Sequence, residues 1–293
     1  MSADIVALRS GDARLEVAPE AGGCITRYAV GDFDLLRPAS PEAIATKTPT
    51  DMSCFPLVPF SNRIRDARLN FDGRTIELTP NFPPEPHAIH GHGWRAEWEV
   101  VDSGDDRLTI QYQHAADDWP FSYLALQTFE LSDVLRVTLE VVSTGDSEMP
   151  LGFGLHPFFV RTEKTRISAP VDGVWLSDDD AMPADHVALP PDMRLPDGID
   201  PNDVALDNNF TGWQRVALIE WLDRGAQLTM TAEGPFGVLV VFTPPGEDFA
   251  CAEPATNVID GFNLEAAGRD DTGTIHLQAG GWSAGTVTFA PEL

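Results

Sequence analysis

An all-β fold follows from three features of the sequence. Apolar and polar residues alternate at period two over much of the chain. No segment of fifteen or more residues carries a clean helical stripe, and 24 glycines and 24 prolines punctuate the 293 residues at short intervals. Alternation puts one face of a strand on a core and the other in water or on a polar layer, as in antiparallel sheets. Dense turn signals between such strands suit a sandwich or barrel.

The elements follow in chain order. Leu69 and Phe71, then Asp72-Gly73, then Ile76 and Leu78 predict a hairpin closed by a tight Asp-Gly turn. Leu108, Ile110 and Tyr112 alternate with Thr109 and Gln111, and Leu135, Val137, Leu139 and Val141 alternate with Arg136, Thr138 and Glu140, so both segments are strands with one buried face. Between Asp178 and Asp207 lie nine aspartates and five prolines against the single Arg194. That stretch is expected to be a long solvated loop, too proline-rich for a helix and too charged for a core strand. Its aspartates lack the D-x-D-x-D-G spacing of a calcium loop. The run Val238–Phe242 is a strand, and Ile275-His276-Leu277 and Val287-Thr288-Phe289, separated by Gly280-Gly281, are expected to form a terminal pair. Strand patterns resume after the aspartate-rich stretch and no internal repeat is visible, so a single domain over 1–293 is expected.

Composition excludes several functions. Hydrophobic residues make up 43% and charged residues 22%, enough for a sizeable core. Nineteen basic residues against 46 acidic ones give a formal net charge of −27. Phosphate backbones and anionic membranes are bound by clustered Lys and Arg, which this chain lacks, so neither nucleic acid nor membrane is an expected partner. Cys24, Cys54 and Cys251 are odd in number and widely spaced, which argues against a disulfide framework or a structural zinc site. The opening MSADIVALRSGDARLEV has neither the basic start nor the apolar core of a signal peptide, and the longest apolar runs are far too short to span a bilayer. A soluble, cytoplasmic protein, monomeric or homodimeric, is the expectation.

Four places gather titratable groups beside glycines, prolines and aromatics: Phe60–Arg65, His87–Trp94, Leu151–Phe159 and Cys251–Asn257. His90 and His92 have i, i+2 spacing, which on a strand would put both on one face, where a metal could be held. The glycines at 91 and 93 and the lack of HExxH weigh against that, and no metal is assigned. His87 reads as a surface or turn residue. His156, within an apolar run, is either a core histidine bonded to backbone or a general acid, since a partly buried imidazole titrates near neutrality. Glu253 is either a strand-end carboxylate or a base whose charged form is disfavoured by apolar neighbours.

Taken together, NRIRDARLNFDG, AIHGHGW, LGFGLHPFF and CAEPATN, in this order between residues 62 and 257, resemble the aldose 1-epimerase (galactose mutarotase) family. The resemblance covers most of the chain. It implies a large antiparallel β-supersandwich with an open sugar cleft and no cofactor. It also implies roles: Glu253 as catalytic base, His156 as catalytic acid, His90 as the histidine that hydrogen-bonds the sugar near the reacting centre, Arg63 as a substrate-binding arginine supported by Asn62, and Asp207 as the aspartate that binds sugar hydroxyls. His92 splits the family's usual glycine pair, which leaves it as a second candidate beside His90. Trp94 and Phe153 are candidates to pack on the apolar face of the ring, with core packing the stronger reading for Phe153.

The implied reaction interconverts the α and β anomers of a free aldose. Ring opening removes a proton from the C1 hydroxyl and delivers one to the ring oxygen, demands met by a carboxylate and an imidazolium on opposite sides of the ring. Two alternatives stay open: a hexose-6-phosphate epimerase, which would need extra arginines at the cleft, and a sugar-binding or regulatory module without catalysis. A hydrolase on a similar scaffold would want two carboxylates flanking the bond, and only Glu253 has a motif.

Overall fold

The computed structural model describes residues 3–178 and 180–293. Among the described residues two large antiparallel sheets dominate, with eleven and eight strands. The larger runs in the spatial order Val6–Ser10, Ala13–Ala18, Cys24–Val30, Cys54–Leu57, Gly154–Val160, Phe249–Ala255, Val238–Phe242, Asp207–Thr211, Gly173–Ser177 and Pro183–Ala188, with the short Phe33–Asp34 paired to Cys24–Val30. The smaller runs Glu99–Ser103, Arg107–His114, Tyr123–Leu131, Leu135–Ser143, Trp282–Glu292, Ala226–Glu233, Val216–Trp221 and Thr165–Ser168. The sheets pack face to face over one apolar cluster that draws residues from both, and Phe289 of the smaller sheet meets the rings of Tyr28 and Phe159 of the larger. The sandwich expected from the period-two pattern is what the chain forms.

The alternating segments behave as their sequence dictates. Tyr123–Leu131 and Leu135–Ser143 bury every second residue and pair in continuous register from Tyr123↔Ser143 to Leu131↔Leu135. Asp72 and Gly73 both take positive φ and close the Arg68–Phe71/Arg74–Glu77 hairpin, because a primed turn matches the right-handed twist of its strands. Two six-residue helices, Pro41–Thr46 and Gly261–Ala266, are the α-helices among the described residues. None is long and apolar enough to cross a membrane. Cys24, Cys54 and Cys251 are free and buried.

Two expectations are corrected. Ile275–Leu277 does not pair with the strand containing Val287–Phe289: it pairs with Met149–Leu151, while Trp282–Glu292 lies between Leu135–Ser143 and Ala226–Glu233. A period-two pattern fixes which residues face the core, not which strand lies alongside. The aspartate-rich stretch is not wholly a loop either. Pro183–Ala188 pairs with Gly173–Ser177 at the edge of the larger sheet, Leu195–Asp197 forms a 3₁₀ turn, and Asp207 opens the strand Asp207–Thr211. An edge strand tolerates acidic side chains because one side of it faces water. Asp179 lies outside the described residues.

The strands that carry His156 and Glu253 show no alternation. Phe249–Ala255 is buried at every position and Gly154–Val160 at all but its last. One face of this part of the sheet meets the smaller sheet through residues such as Leu155, Phe159, Ala250 and Ala252. The opposite face, carrying Phe158, Phe249 and Cys251 with Phe55 of the adjacent strand, is roofed by Ile89 and Trp94, all in a second apolar cluster.

Candidate active site

Strand register builds the centre of the site. Gly154↔Ala255 and Phe158↔Cys251 bracket the pairing of Gly154–Val160 with Phe249–Ala255, so His156 and Glu253 come side by side on the roofed face. Their side chains meet, His156 Nε2 lying 3.3 Å from Glu253 Oε1. The imidazole is clamped between aromatic rings, 4.5 Å from Phe55 and 4.6 Å from Phe158 by centroid. Glu253 is 2% exposed. His156 Nδ1 and Glu253 Oε2 are buried with no hydrogen-bond partner.

Burial sets the electrostatics of this pair. It pushes Glu253 well above the usual carboxylate range, helped by the nearby charge of Asp207 and opposed by Arg63. It holds His156 well below the usual imidazole range, with Arg37 adding to the depression. Both shifts favour the uncharged forms, in which the Glu253 carboxyl carries a transferable proton. Its transfer across the 3.3 Å contact makes carboxylate and imidazolium without a proton entering from solvent. The two groups are neighbours, not the opposite-sided pair that sequence reasoning expected.

Above the pair, the segment around Asn62 meets the segment around His90. Arg63–Ile64 pairs with Ala88–Ile89, the His90 N–H donates to Asn62 O (2.9 Å), and the Asn62 N–H donates to His90 Nδ1 (3.1 Å). An Nδ1 that accepts from backbone leaves Nε2 to carry the proton of the neutral ring. His90 is kept neutral by burial and by the nearby His156, Arg63 and Arg95. Arg63 donates to both Glu85 carboxylate oxygens (2.8 and 3.0 Å) and to Asn62 Oδ1 (3.2 Å), and lies 3.7 Å from Asp207. Asn257 fastens this segment to the glutamate strand: its Oδ1 accepts from Ser61 N–H (3.0 Å) and its Nδ2 donates to Ser61 O (3.1 Å).

These groups line a cleft of about 350 Å³. Glu253, His156, Arg63, Asn62, His90, Trp94 and Asp207 all lie on its wall. Trp94 is 1% exposed, its indole N–H donates to Gly91 O, and Arg95 stacks on its ring at 4.1 Å. Phe153 is in the sandwich core against Phe236.

His92 is not on this wall. Gly91 at φ +67 follows His90 at φ +59, so the chain turns between the two histidines and sends them to different sides. A Cβ on Gly91 would stand 2.3 Å from Val58 O, which closes the turn to any other residue. His92 stacks on His114 instead (4.3 Å, 8°) and meets the Tyr123 hydroxyl at 3.3 Å. His87 is buried, not a surface residue, because its Nδ1 accepts the Asp66 N–H at 3.0 Å.

The cleft also contains residues that sequence reasoning missed: Arg37, Asp51, Phe55, Phe82, Phe158, Phe242, Phe249 and Glu247. Phe158 stands two residues from His156 and Phe249 four from Glu253, so strand alternation alone could have added both. Arg37 lies between the rings of Phe158 and Phe249, 4.5 Å from each centroid, and donates to the carbonyls of Thr50 and Met52. Nothing in its sequence neighbourhood marked it.

The sequence profile of the aldose 1-epimerase family matches residues 4–289. The chain belongs to the aldose 1-epimerase family. Over 270 residues it is 34% identical to the uncharacterized protein YphB of Escherichia coli K12, covering 87% of this chain and 89% of the other. An aldose 1-epimerase of the same organism is 26% identical over 146 residues, 45% of this chain and 39% of that one. Among solved structures, a candidate aldose 1-epimerase of Escherichia coli K12 superposes with a TM-score of 0.90 at 30% identity, covering 99% of both chains. A galactose mutarotase-like protein of Clostridium acetobutylicum superposes at 0.87 with 19% identity and the same coverage, a likeness of fold.

Proposed function

We propose that the protein is a mutarotase, interconverting the α and β anomers of a free aldose by ring opening and reclosure, with residues 1–293 working as one domain. The observation that carries this reading is the buried His156–Glu253 contact, two acid–base groups 3.3 Å apart on the wall of a cleft lined with aromatic rings. The C1 hydroxyl oxygen and the ring oxygen are bonded to the same carbon, so two groups this close can each address one of them. Glu253 as carboxylate takes the C1 hydroxyl proton while His156 as imidazolium protonates the ring oxygen. Reclosure reverses both transfers and returns the pair to its starting state, so the cycle consumes nothing.

The other residues orient the sugar. His90 Nε2–H and the Arg63 guanidinium supply donors for oxygens that gain charge, and Asp207 accepts from hydroxyls. Trp94 is 1% exposed with Arg95 on its ring, so it packs into the cleft wall and is not the face on which a pyranose lies. A free sugar suits the site better than a phosphorylated one: Arg63 is already engaged by Glu85 and faces Asp207, and Asp51 and Glu247 add negative charge to the same cleft.

Polarimetry or NMR exchange on freshly dissolved α-D-glucose and α-D-galactose, followed by a wider aldose panel, tests the reading. Wild type is expected to speed anomer exchange. Glu253→Gln is expected to lose about 10²–10⁴-fold in rate while still binding sugar. Full exchange in the variant refutes the base. Sugar binding without any exchange by wild type makes the protein a binding module instead.

A further inference from the structure

The acid–base pair leaves a third buried donor beside it without a role. Cys251 precedes Glu253 by two residues on one strand, so both side chains leave the same face, and the register sets Cys251 opposite Phe158, next to His156. One ligand atom from each of His156, Cys251 and Glu253 lies within 4.8 Å of the other two, and all three residues are buried. The 3.3 Å between His156 Nε2 and Glu253 Oε1 matches the spacing of two N/O ligands about 2.0–2.2 Å from a shared tetrahedral ion. Each of these two side chains also has a second polar atom, Nδ1 and Oε2, buried without a partner. Imidazole nitrogen, thiolate sulfur and carboxylate oxygen form a donor set for a borderline-soft cation, whereas magnesium and calcium prefer oxygen alone.

We propose that His156, Cys251 and Glu253 bind a thiophilic divalent cation of the zinc type, entering from the cleft, and that its binding blocks the sugar reaction. Three protein ligands would leave a fourth position toward the cleft, as in open zinc sites. Binding takes a lone pair from neutral His156 and displaces two protons to solvent, one from the Cys251 thiol and one from the Glu253 carboxyl, so that thiolate and carboxylate complete the ligand set. Neither acid–base group can then exchange a proton with the sugar, so the ion is an inhibitor and not a cofactor. The blockade rests on the proposed mutarotase reading; the binding itself does not.

A second cluster, His92, His114 and Asp117, also brings ligand atoms within 4.8 Å. It suits a metal less well. Its imidazoles lie face to face, not aimed at one point, and His114 Nε2 already meets Trp119 O at 3.2 Å.

The test uses the full chain, first stripped with a chelator. Zinc is titrated in competition with a chromogenic chelator, and cobalt(II) is added separately to look for a thiolate-to-metal charge-transfer band. Wild type is expected to take up one equivalent of zinc, to show the band with cobalt, and to lose anomer exchange until EDTA restores it. In Cys251→Ala, and in Cys251→Val should alanine loosen the packing, the band is expected to vanish. Zinc affinity should fall on the order of 100-fold, and the zinc concentration that halves each variant's own metal-free rate should rise in step. His92→Ala should bind zinc as wild type does. Absence of the band in wild type, undiminished zinc affinity in both Cys251 variants, or loss of binding in His92→Ala overturns the proposal. A thiolate band in a protein that exchanges no sugar leaves the metal site standing and removes the mutarotase reading.

Discussion

Asn62 and His90 hold each other in left-handed backbone conformations, which Asn and His adopt more readily than other side chains but still at a cost. Both have positive φ, 65° and 59°, and each donates its own N–H to the other. Such strain costs on the order of 1–3 kcal/mol per residue and persists only where surrounding structure imposes it. Here it aims one imidazole into the cleft while Gly91 sends the next one away. Replacement of the two histidines should therefore separate two properties. His90→Ala is expected to lower kcat/KM for anomer exchange by about 10²-fold, with His92→Ala close to wild type in exchange but about 1 kcal/mol less stable in urea, from loss of the ring stack on His114. Equal exchange in the two variants contradicts the assignment. The acid limb of the rate profile is a further check at this scale. With His156 held below the ordinary imidazole range, kcat/KM should persist well below pH 6.5, and a limb at that value would show that an unperturbed histidine governs the rate. Asn62, Arg63, His90, His156 and Glu253 were legible because each sat in a motif, whereas Arg37 and most of the aromatic wall sat in none. The side to which His92 points was not legible either, since i, i+2 spacing implies a shared face only on an extended strand.

At the scale of elements, the cleft depends on how the Ser61–Arg63 segment is fastened to the end of the glutamate strand. Asn257 makes that link through Ser61 N–H and Ser61 O, and a third bond to Val258 O fixes its amide. Gly152 lets the side chain sit there, since a Cβ on it would come within 1.9 Å of Asn257 Oδ1. Asn257→Ala leaves buried backbone groups unpaired, which costs about 2 kcal/mol. It should also raise KM more than it lowers kcat, because it frees Arg63 without touching the acid–base pair. Denaturant melts and steady-state kinetics on one preparation check both; a variant with unchanged KM would mean the segment is held by other contacts. Legibility at this scale followed exposure. Half-buried strands such as Leu135–Ser143 announced themselves by alternation. The fully buried Phe249–Ala255 and Gly154–Val160, which carry Glu253 and His156, have no alternation to show and were located by motif. The partner of Ile275–Leu277 was unreadable because pairing across more than a hundred residues leaves no local trace.

For the molecule as a whole, buried histidines and buried carboxyls pull stability in opposite directions with pH. His90, His92 and His156 all titrate below the ordinary value in the folded protein, His92 at about 4, each chiefly through burial. Between those values and about pH 6.5 they bind more protons in the unfolded chain than in the folded one. For these three histidines the stabilising contribution is complete above pH 6.5 and is lost as pH falls, by up to about 1.4 kcal/mol per pH unit each. Glu253, Asp207 and Asp260, raised by burial, bind more protons folded than unfolded and act in the opposite sense. The 46 carboxylates behind the net charge of −27 relieve self-repulsion only as they protonate, mostly below this window. Urea unfolding at pH 7 and pH 5 should show a smaller acid-side loss in His92→Ala than in wild type, and the same pH dependence in both would mean that the His92 imidazole is solvated.

The strand Trp282–Glu292 lies in the interior of the eight-stranded sheet, between two strands made earlier in the chain. During synthesis, at about 5–20 residues per second, Leu135–Ser143 and Ala226–Glu233 leave the ribosome well before the strand that must separate and join them. Until it arrives, both present unpaired backbone edges, and the second layer has a gap where its middle should be. Completion of this layer is thus a late event set by translation, and newly made copies rely on their shared negative charge to stay apart until it happens.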